Sequence, residues 1–129
     1  MIEQSFPFLA KARESFLGAE SEFANGRYNN CVNRAYYATF QAAIAALQRA
    51  GIRPRGVQWS HTFVPAQFNG VLINRRHLYP AELRTVIGHN YALRQTADYT
   101  EYAVSRTDAE RTLRRTRLFL TTLQGDHDR

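Results

Sequence analysis

The residues most able to do chemistry in this chain sit in one short run, LRQTADYTEY. Arg94 and Asp98 stand four apart, which puts both on one face of a helix, and Tyr102 extends the same stripe if that helix persists. Tyr99 lies between them in sequence order. A guanidinium beside a carboxylate and a phenol can grip a phosphate, or it can be a plain ion pair that ties a helix into its bundle; spacing alone leaves both open. A phenol, with an ordinary pKa of about 10, is a weak base at neutral pH. Further on, Arg111, Arg114 and Arg115 form a second basic set. It reads either as a solvated helix face or as the place where RNA or an acidic partner would first make contact.

Several other chemistries are excluded by what the sequence lacks. None of His61, His77, His89 or His127 has a glutamate three residues before it, so the inward-facing Glu-x-x-His pairs of a di-metal bundle are absent. Cys31 is the one cysteine, and no second thiol or histidine stands near it at zinc spacing. There is no phosphate-binding glycine loop and no Gly-x-Ser-x-Gly elbow. Neither a metal site nor a cofactor is expected. A helix-turn-helix reader of DNA is also a poor fit, because the most basic segment is not preceded by a short helix and a tight turn.

The chain has 129 residues, 44% of them hydrophobic, which suits a single domain over 1–129 with a core that needs no staples. Its formal charge is +6, and Lys11 is the only lysine among 17 basic residues. An arginine excess suits phosphate recognition, and it also follows from a genome rich in arginine codons. No uncharged apolar run approaches the roughly 18 residues of a membrane span. A lone cysteine fits a reducing compartment, so a cytoplasmic protein with no membrane partner is expected.

The elements that would position these residues are helical. Phe8, Ala12, Phe16, Ala19 and Phe23 recur at helical spacing, which predicts a first helix over about 6–25, stopped by Asn25-Gly26. A second runs from about Arg27 to Ala50, with Gly51 as its stop. It carries two apolar stripes, Cys31, Ala35, Ala38, Ala42 and Ala45 on one side and Tyr37, Phe40, Ile44 and Leu47 on another, so neighbours should pack on both sides. Tyr36 and Tyr37 are read as core aromatics. GIRPRGVQW reads as a loop, and Ser60 as the N-cap of a third helix made short or irregular by Pro65 and Gly70. A fourth should start near Pro80, face inward along Leu83, Val86, Asn90, Leu93 and Ala97, and end around Tyr99 to Tyr102. Thr107-Asp108-Ala109-Glu110 resembles a capping box for a fifth, whose apolar stripe is Ala109, Leu113, Thr116, Leu120 and Leu123. Residues 124–129 read as a frayed tail. With no period-two alternation, the fold expected is all-α, an antiparallel up-down bundle of four to five helices. The aromatic content of the first two helices would supply the surface for a homodimer.

Three runs in order, LAKARESFLGAESEFANGRYNNCVNRAYYATFQAAIAAL, SHTFVPAQF and ELRTVIGHNYALRQTADY, followed by a closing helix ending in RLFL, resemble the HEPN family in its small stand-alone branch. NRAYYATF and LRQTADY are the most specific pieces. The resemblance implies a helical bundle, commonly a homodimer, that occurs with a nucleotidyltransferase partner as a toxin and antitoxin pair. Active members of the family resemble metal-independent ribonucleases, with an arginine and a histidine separated by four to six residues. The chemistry is coherent: RNA brings its own 2′-hydroxyl nucleophile, and the enzyme adds a base, an acid and a cation for the developing charge.

By that resemblance the motif arginine is Arg94, and Tyr99 stands where the histidine would be. Arg84 with His89 and Arg55 with His61 meet the literal spacing, but about 1.5 such matches arise by chance in a chain this rich in arginine. Arg94, Asp98 and Tyr99 are therefore the candidate catalytic residues, in a polar pocket at the dimer seam to which Arg34 and His61 contribute. His61 reads equally as a surface residue of a first helical turn. The family's nucleotidyltransferase partners imply adenylylation of a tyrosine near the motif, here Tyr99 or Tyr102. The function expected is a toxin-like protein that binds RNA and cleaves it without metal; the alternative is a non-catalytic module that binds a nucleotide or a protein partner.

Overall fold

The computed structural model describes residues 6–56 and 58–127. Its organising element is α2 (Tyr28–Arg49), which packs against α1 (Phe6–Ala24), α3 (Phe63–Gln67), α4 (Val86–Tyr99) and α5 (Arg106–His127). Such a position demands a helix that is apolar on more than one side and small enough to be approached closely. Both conditions are written in its sequence: Cys31, Ala35, Ala38 and Ala42 are fully buried on one side, and Ile44 and Leu47 on another. Among the described residues there is no strand.

The helix ends follow from glycine. At the α1–α2 turn Gly26 adopts φ 76°, and the Arg27 amide donates back to the Glu22 carbonyl at 2.9 Å. At the end of α2, Gly51 at φ 80° allows the Ile52 amide to reach the Leu47 carbonyl at the same distance. Both are left-handed C-caps that a side chain would strain. Beyond the loop, the Ser60 hydroxyl accepts the Phe63 amide at 2.9 Å, as a capping residue should. The third helix is irregular: α3 passes into a π-helical stretch, Phe68–Arg75, that still buries Phe68, Leu72 and Ile73.

Two expectations are corrected here. The fourth helix does not begin as an α-helix at Pro80, because Ala81–Thr85 winds as a 3₁₀ turn before α4 starts at Val86. The cap of α5 is Ser105 and not Thr107, since the Ser105 hydroxyl accepts the Asp108 amide at 3.1 Å. This moves the cap two residues upstream. At its other end α5 continues past residue 124 to His127; residues 128 and 129 of the expected tail lie outside the described residues.

Contacts fix the directions of the helices. Ser15 bonds Gln41 across α1 and α2 at 2.8 Å, while Asn33 meets Asp98 and Tyr36 meets Tyr91 across α2 and α4, so both neighbours run antiparallel to α2. Arg106 meets Tyr28 at one end of α5, and Leu123 faces Ala42, Ala45 and Ala46 near the other, so α5 runs parallel to it. The result is an up-down-up-down bundle. Phe8, Phe16, Phe23, Tyr37 and Phe40 pack, partly buried, against its two core clusters.

One buried polar knot joins α4 to α5. Asn90 is fully buried; its amide donates to the Thr116 hydroxyl at 2.9 Å, and its carbonyl accepts Arg115 Nε at 2.9 Å. Removing the amide leaves a hydroxyl and a guanidinium edge without their partner inside the bundle. Asn90→Ala should therefore lower the unfolding free energy by about 1–3 kcal/mol in urea denaturation. A loss below half a kcal/mol would mean the knot contributes little.

Candidate functional site

Arg94 emerges from the last turns of α4 against the first turns of α2, where it meets a ring-lined recess. Its guanidinium carbon lies 5.4 Å from the Tyr36 ring centroid, 5.2 Å from Tyr37 and 5.8 Å from Tyr99. Nε donates to Asp98 at 3.2 Å, and NH2 reaches the Tyr99 hydroxyl at 3.5 Å. The planar guanidinium suits this setting because it can stack on aromatic faces and still donate in its plane. Its side chain remains 19% exposed, and that of Asp98 24%.

The charge at this position is firmly held. Burial among the rings pulls the Arg94 pKa down, but the nearby Tyr37 phenol, the hydrogen bond to Asp98 and the Tyr99 phenol outweigh it and hold the group above the ordinary arginine value. Tyr36 beneath is 2% exposed, and burial pushes its phenol up to about 12, with the Arg94 charge opposing. Reading Tyr36 and Tyr37 as core aromatics was half of their role: they are also the floor under the arginine.

Asn33 connects this cluster to a second arginine. Its amide donates to Asp98 Oδ2 at 2.7 Å, and its carbonyl accepts Arg34 Nε at 3.1 Å and NH2 at 2.8 Å. Arg34 lies over the Tyr37 ring at 5.1 Å, so two guanidinium groups meet one tyrosine. Neither Asn33 nor Tyr91 stood out in the sequence. Tyr91 is edge-on to Tyr36 at 5.6 Å and stacks flat on His61 at 5.2 Å, which places His61 at the outer edge of the same aromatic cluster.

The remaining candidates are dispersed. α4 ends at Tyr99 and the backbone turns extended at Thr100, so Tyr102 leaves the Arg94 stripe and projects from the α4–α5 connection. Tyr99 and Tyr102 are 69% and 73% exposed. The basic set on α5 is not one face: Arg111 is exposed, Arg114 is exposed and pairs with Glu110 at 3.7 Å, but Arg115 turns inward to Asn90 and Thr112. Burial lowers the Arg115 pKa, and its contacts make it part of the scaffold. Arg84, of the chance pair with His89, is bound to Asn74 at 2.7 Å.

Among the described residues no helix is long and apolar enough to cross a membrane. The family model of the HEPN domain matches residues 7–126. A protein of Methanocaldococcus jannaschii, named "Putative toxin MJ0605", is 30% identical over 109 residues, which is 84% of this chain and 78% of that protein.

Tyr36 gives the site a pH signature. Its folded pKa of about 12 stands above the ordinary 10, so the stability it contributes is whole below pH 10 and is lost as the pH rises towards 12. Unfolding free energy should fall across that window by about 2–3 kcal/mol, and Tyr36→Phe should flatten the fall. An unchanged profile in the variant would show that Tyr36 titrates like a free phenol.

Proposed function

The chain belongs to the HEPN family, and from that membership we propose that it is a toxin-like protein that acts on RNA through the Arg94 cluster. The observation that carries this reading is the setting of Arg94: a charge fixed by Asp98 and three tyrosine rings, partly open to solvent, with a second guanidinium over the same Tyr37 ring. Fixed donors that need no rearrangement are what a phosphodiester site requires. The rings add faces on which unstacked bases can rest. The "toxin" in the name of the archaeal relative agrees with this reading.

In the catalytic form of this proposal Arg94 stabilises the developing charge on the phosphorane while the 2′-hydroxyl of the RNA attacks, so no metal is needed. The proton carrier is the weak link. Tyr99 stands where the family histidine would be, and His61, the imidazole on the same aromatic cluster, meets Tyr91, which in turn meets Tyr36, the ring beneath Arg94. The Tyr99 exchange favours the second reading, a HEPN module that binds RNA, a nucleotide or a protein without cutting.

The exposure of Tyr99 and Tyr102 supports control by a nucleotidyltransferase antitoxin. A tyrosine phenol attacking the α-phosphate of ATP would release pyrophosphate and leave an adenylyl group. On Tyr99 that phosphate would fall beside Arg94 and fill the place of an RNA phosphate. Two protomers meeting along the α4 ends would present the cluster twice across one seam, as a homodimer.

RNA cleavage by the purified protein in excess EDTA decides between the two readings. Wild-type cleavage is expected to persist in EDTA and to fall at least about 100-fold in a folded Arg94→Ala variant. Binding that weakens steeply with salt, without cleavage, would assign the non-catalytic reading, and Arg94→Ala should then reduce the salt slope by about one charge. Absence of both would defeat the proposal. Incubation with a nucleotidyltransferase partner and ATP should add one adenylyl mass to wild type and none to a Tyr99→Phe, Tyr102→Phe double variant.

A further inference from the structure

Beside the Arg94 cluster, the first turns of α2 leave a groove of 410 Å³ against α1, lined by Gly18, Ser21, Glu22, Asn30, Asn33 and Arg34. That volume lies within the roughly 300–1,000 Å³ typical of small-molecule sites. Two of its walls already belong to the cluster, because Asn33 holds Asp98 and Arg34 lies over the ring it shares with Arg94. A strand whose phosphate rests on these guanidinium groups therefore has the groove next to it.

The far wall is chemically distinctive. Glu22 is a carboxylate, which accepts hydrogen bonds and donates none. It is kept ionised: Arg27 Nε donates to both of its oxygens at 2.9 Å, and this bond holds its pKa below the ordinary value against a smaller opposing effect of burial. The Arg27 charge also offsets the repulsion Glu22 would exert on a nearby phosphate. Asn30 is held only by a 3.5 Å donation to Glu22 among the described residues, so its amide is free to meet a ligand edge. Gly18 forms the floor beside Arg34; a Cβ there would stand at ordinary contact, 3.7 Å from Arg34 Cδ, and a larger side chain would narrow the groove.

We infer that this groove receives a nucleobase carrying an exocyclic amine, adenine, cytosine or guanine in preference to uracil, with the amine donating to Glu22 and the ring edge meeting Asn30. Uracil has no amine; its one edge donor, N3–H, stands between two carbonyl oxygens whose lone pairs oppose those of the carboxylate, so it meets Glu22 less well than an exocyclic amine does. This rests on the reading that RNA is the ligand of the Arg94 cluster, and it adds base selection to a site otherwise directed at phosphate.

The test uses the full chain and short single-stranded oligoribonucleotides of cytidine and of uridine at one salt concentration, followed by fluorescence anisotropy. Cytidine oligomers should bind about fivefold or more tightly than uridine oligomers. Glu22→Gln, which replaces two acceptors with one acceptor and one donor, should reduce the preference to below about twofold. Gly18→Val, which fills the floor, should do the same, and Arg94→Ala should weaken both oligomers in equal proportion. Thermal unfolding checks each variant, and if Gly18→Val does not fold, Glu22→Gln carries the test. Equal binding of the two oligomers by wild type, or a preference that survives Glu22→Gln, overturns the base groove alone and leaves Arg94 as an RNA site. No binding of either oligomer overturns both.

Discussion

A helix that neighbours cover along most of its length has few places to put polar side chains, and α2 resolves this by placing most of them near its ends. Arg27 precedes it and Asn29, Asn30, Asn33 and Arg34 occupy its first two turns, while Ala38 to Leu47 is buried almost without interruption. A polar group within the covered stretch would have to be matched by a partner on a facing helix. Thr39 shows the local solution, donating back to the Tyr36 carbonyl at 2.8 Å within its own helix. The site lies where it does because the start of α2 is the stretch in which unmatched donors and acceptors cost little. α4, running antiparallel, delivers its last turns to that same end.

One residue type serves three purposes in this bundle, and environment decides which. Arg115 lies between α4 and α5 with its donors taken by Asn90 and Thr112, so it acts as a crosslink. Arg114 stands in solvent beside Glu110, where an ion pair contributes little to stability. Arg94 is intermediate: its faces are covered by rings and its plane is only partly occupied by Asp98 and Tyr99. A lysine could hold the Asp98 contact, but it could not present a flat face to three tyrosines while donating in its plane.

The local parts of the structure were legible in sequence and the convergent parts were not. Amphipathic spacing located α1, α2 and the inward face of α5, because burial of a helix stripe is a property of residues three and four apart. The Arg94–Asp98 pair was readable for the same reason. Asn33 was not, since it is 65 residues from Asp98 and becomes a partner only once α2 and α4 are packed antiparallel. Arg115 was misplaced on an outer face because its direction depends on Asn90, a residue of another helix. The cap of α5 was misread because Ser105 and Thr107 both fit a local capping pattern. The choice between them follows from Val104, whose amide is tied to Asn29 at 2.9 Å and whose side chain is buried, which fixes where the chain enters the helix.

The exchange of histidine for Tyr99 changes what the cluster can do, and the structure gives a physical sense of how. An imidazole would bring a group that titrates near neutrality to within reach of Arg94. The phenol instead donates or accepts a weak hydrogen bond at 3.5 Å and adds a third ring beside the guanidinium. The cluster is thereby shifted from proton transfer towards holding a charge in place. Proton movement, if RNA is cut here, has to involve a group from outside this pair, and His61 is the imidazole that the aromatic cluster already orients. His61 stacks flat on Tyr91 at 5.2 Å and is exposed. Holding a charge therefore needs only Arg94 and its rings, whereas proton transfer would need a group beyond Arg94, Asp98 and Tyr99.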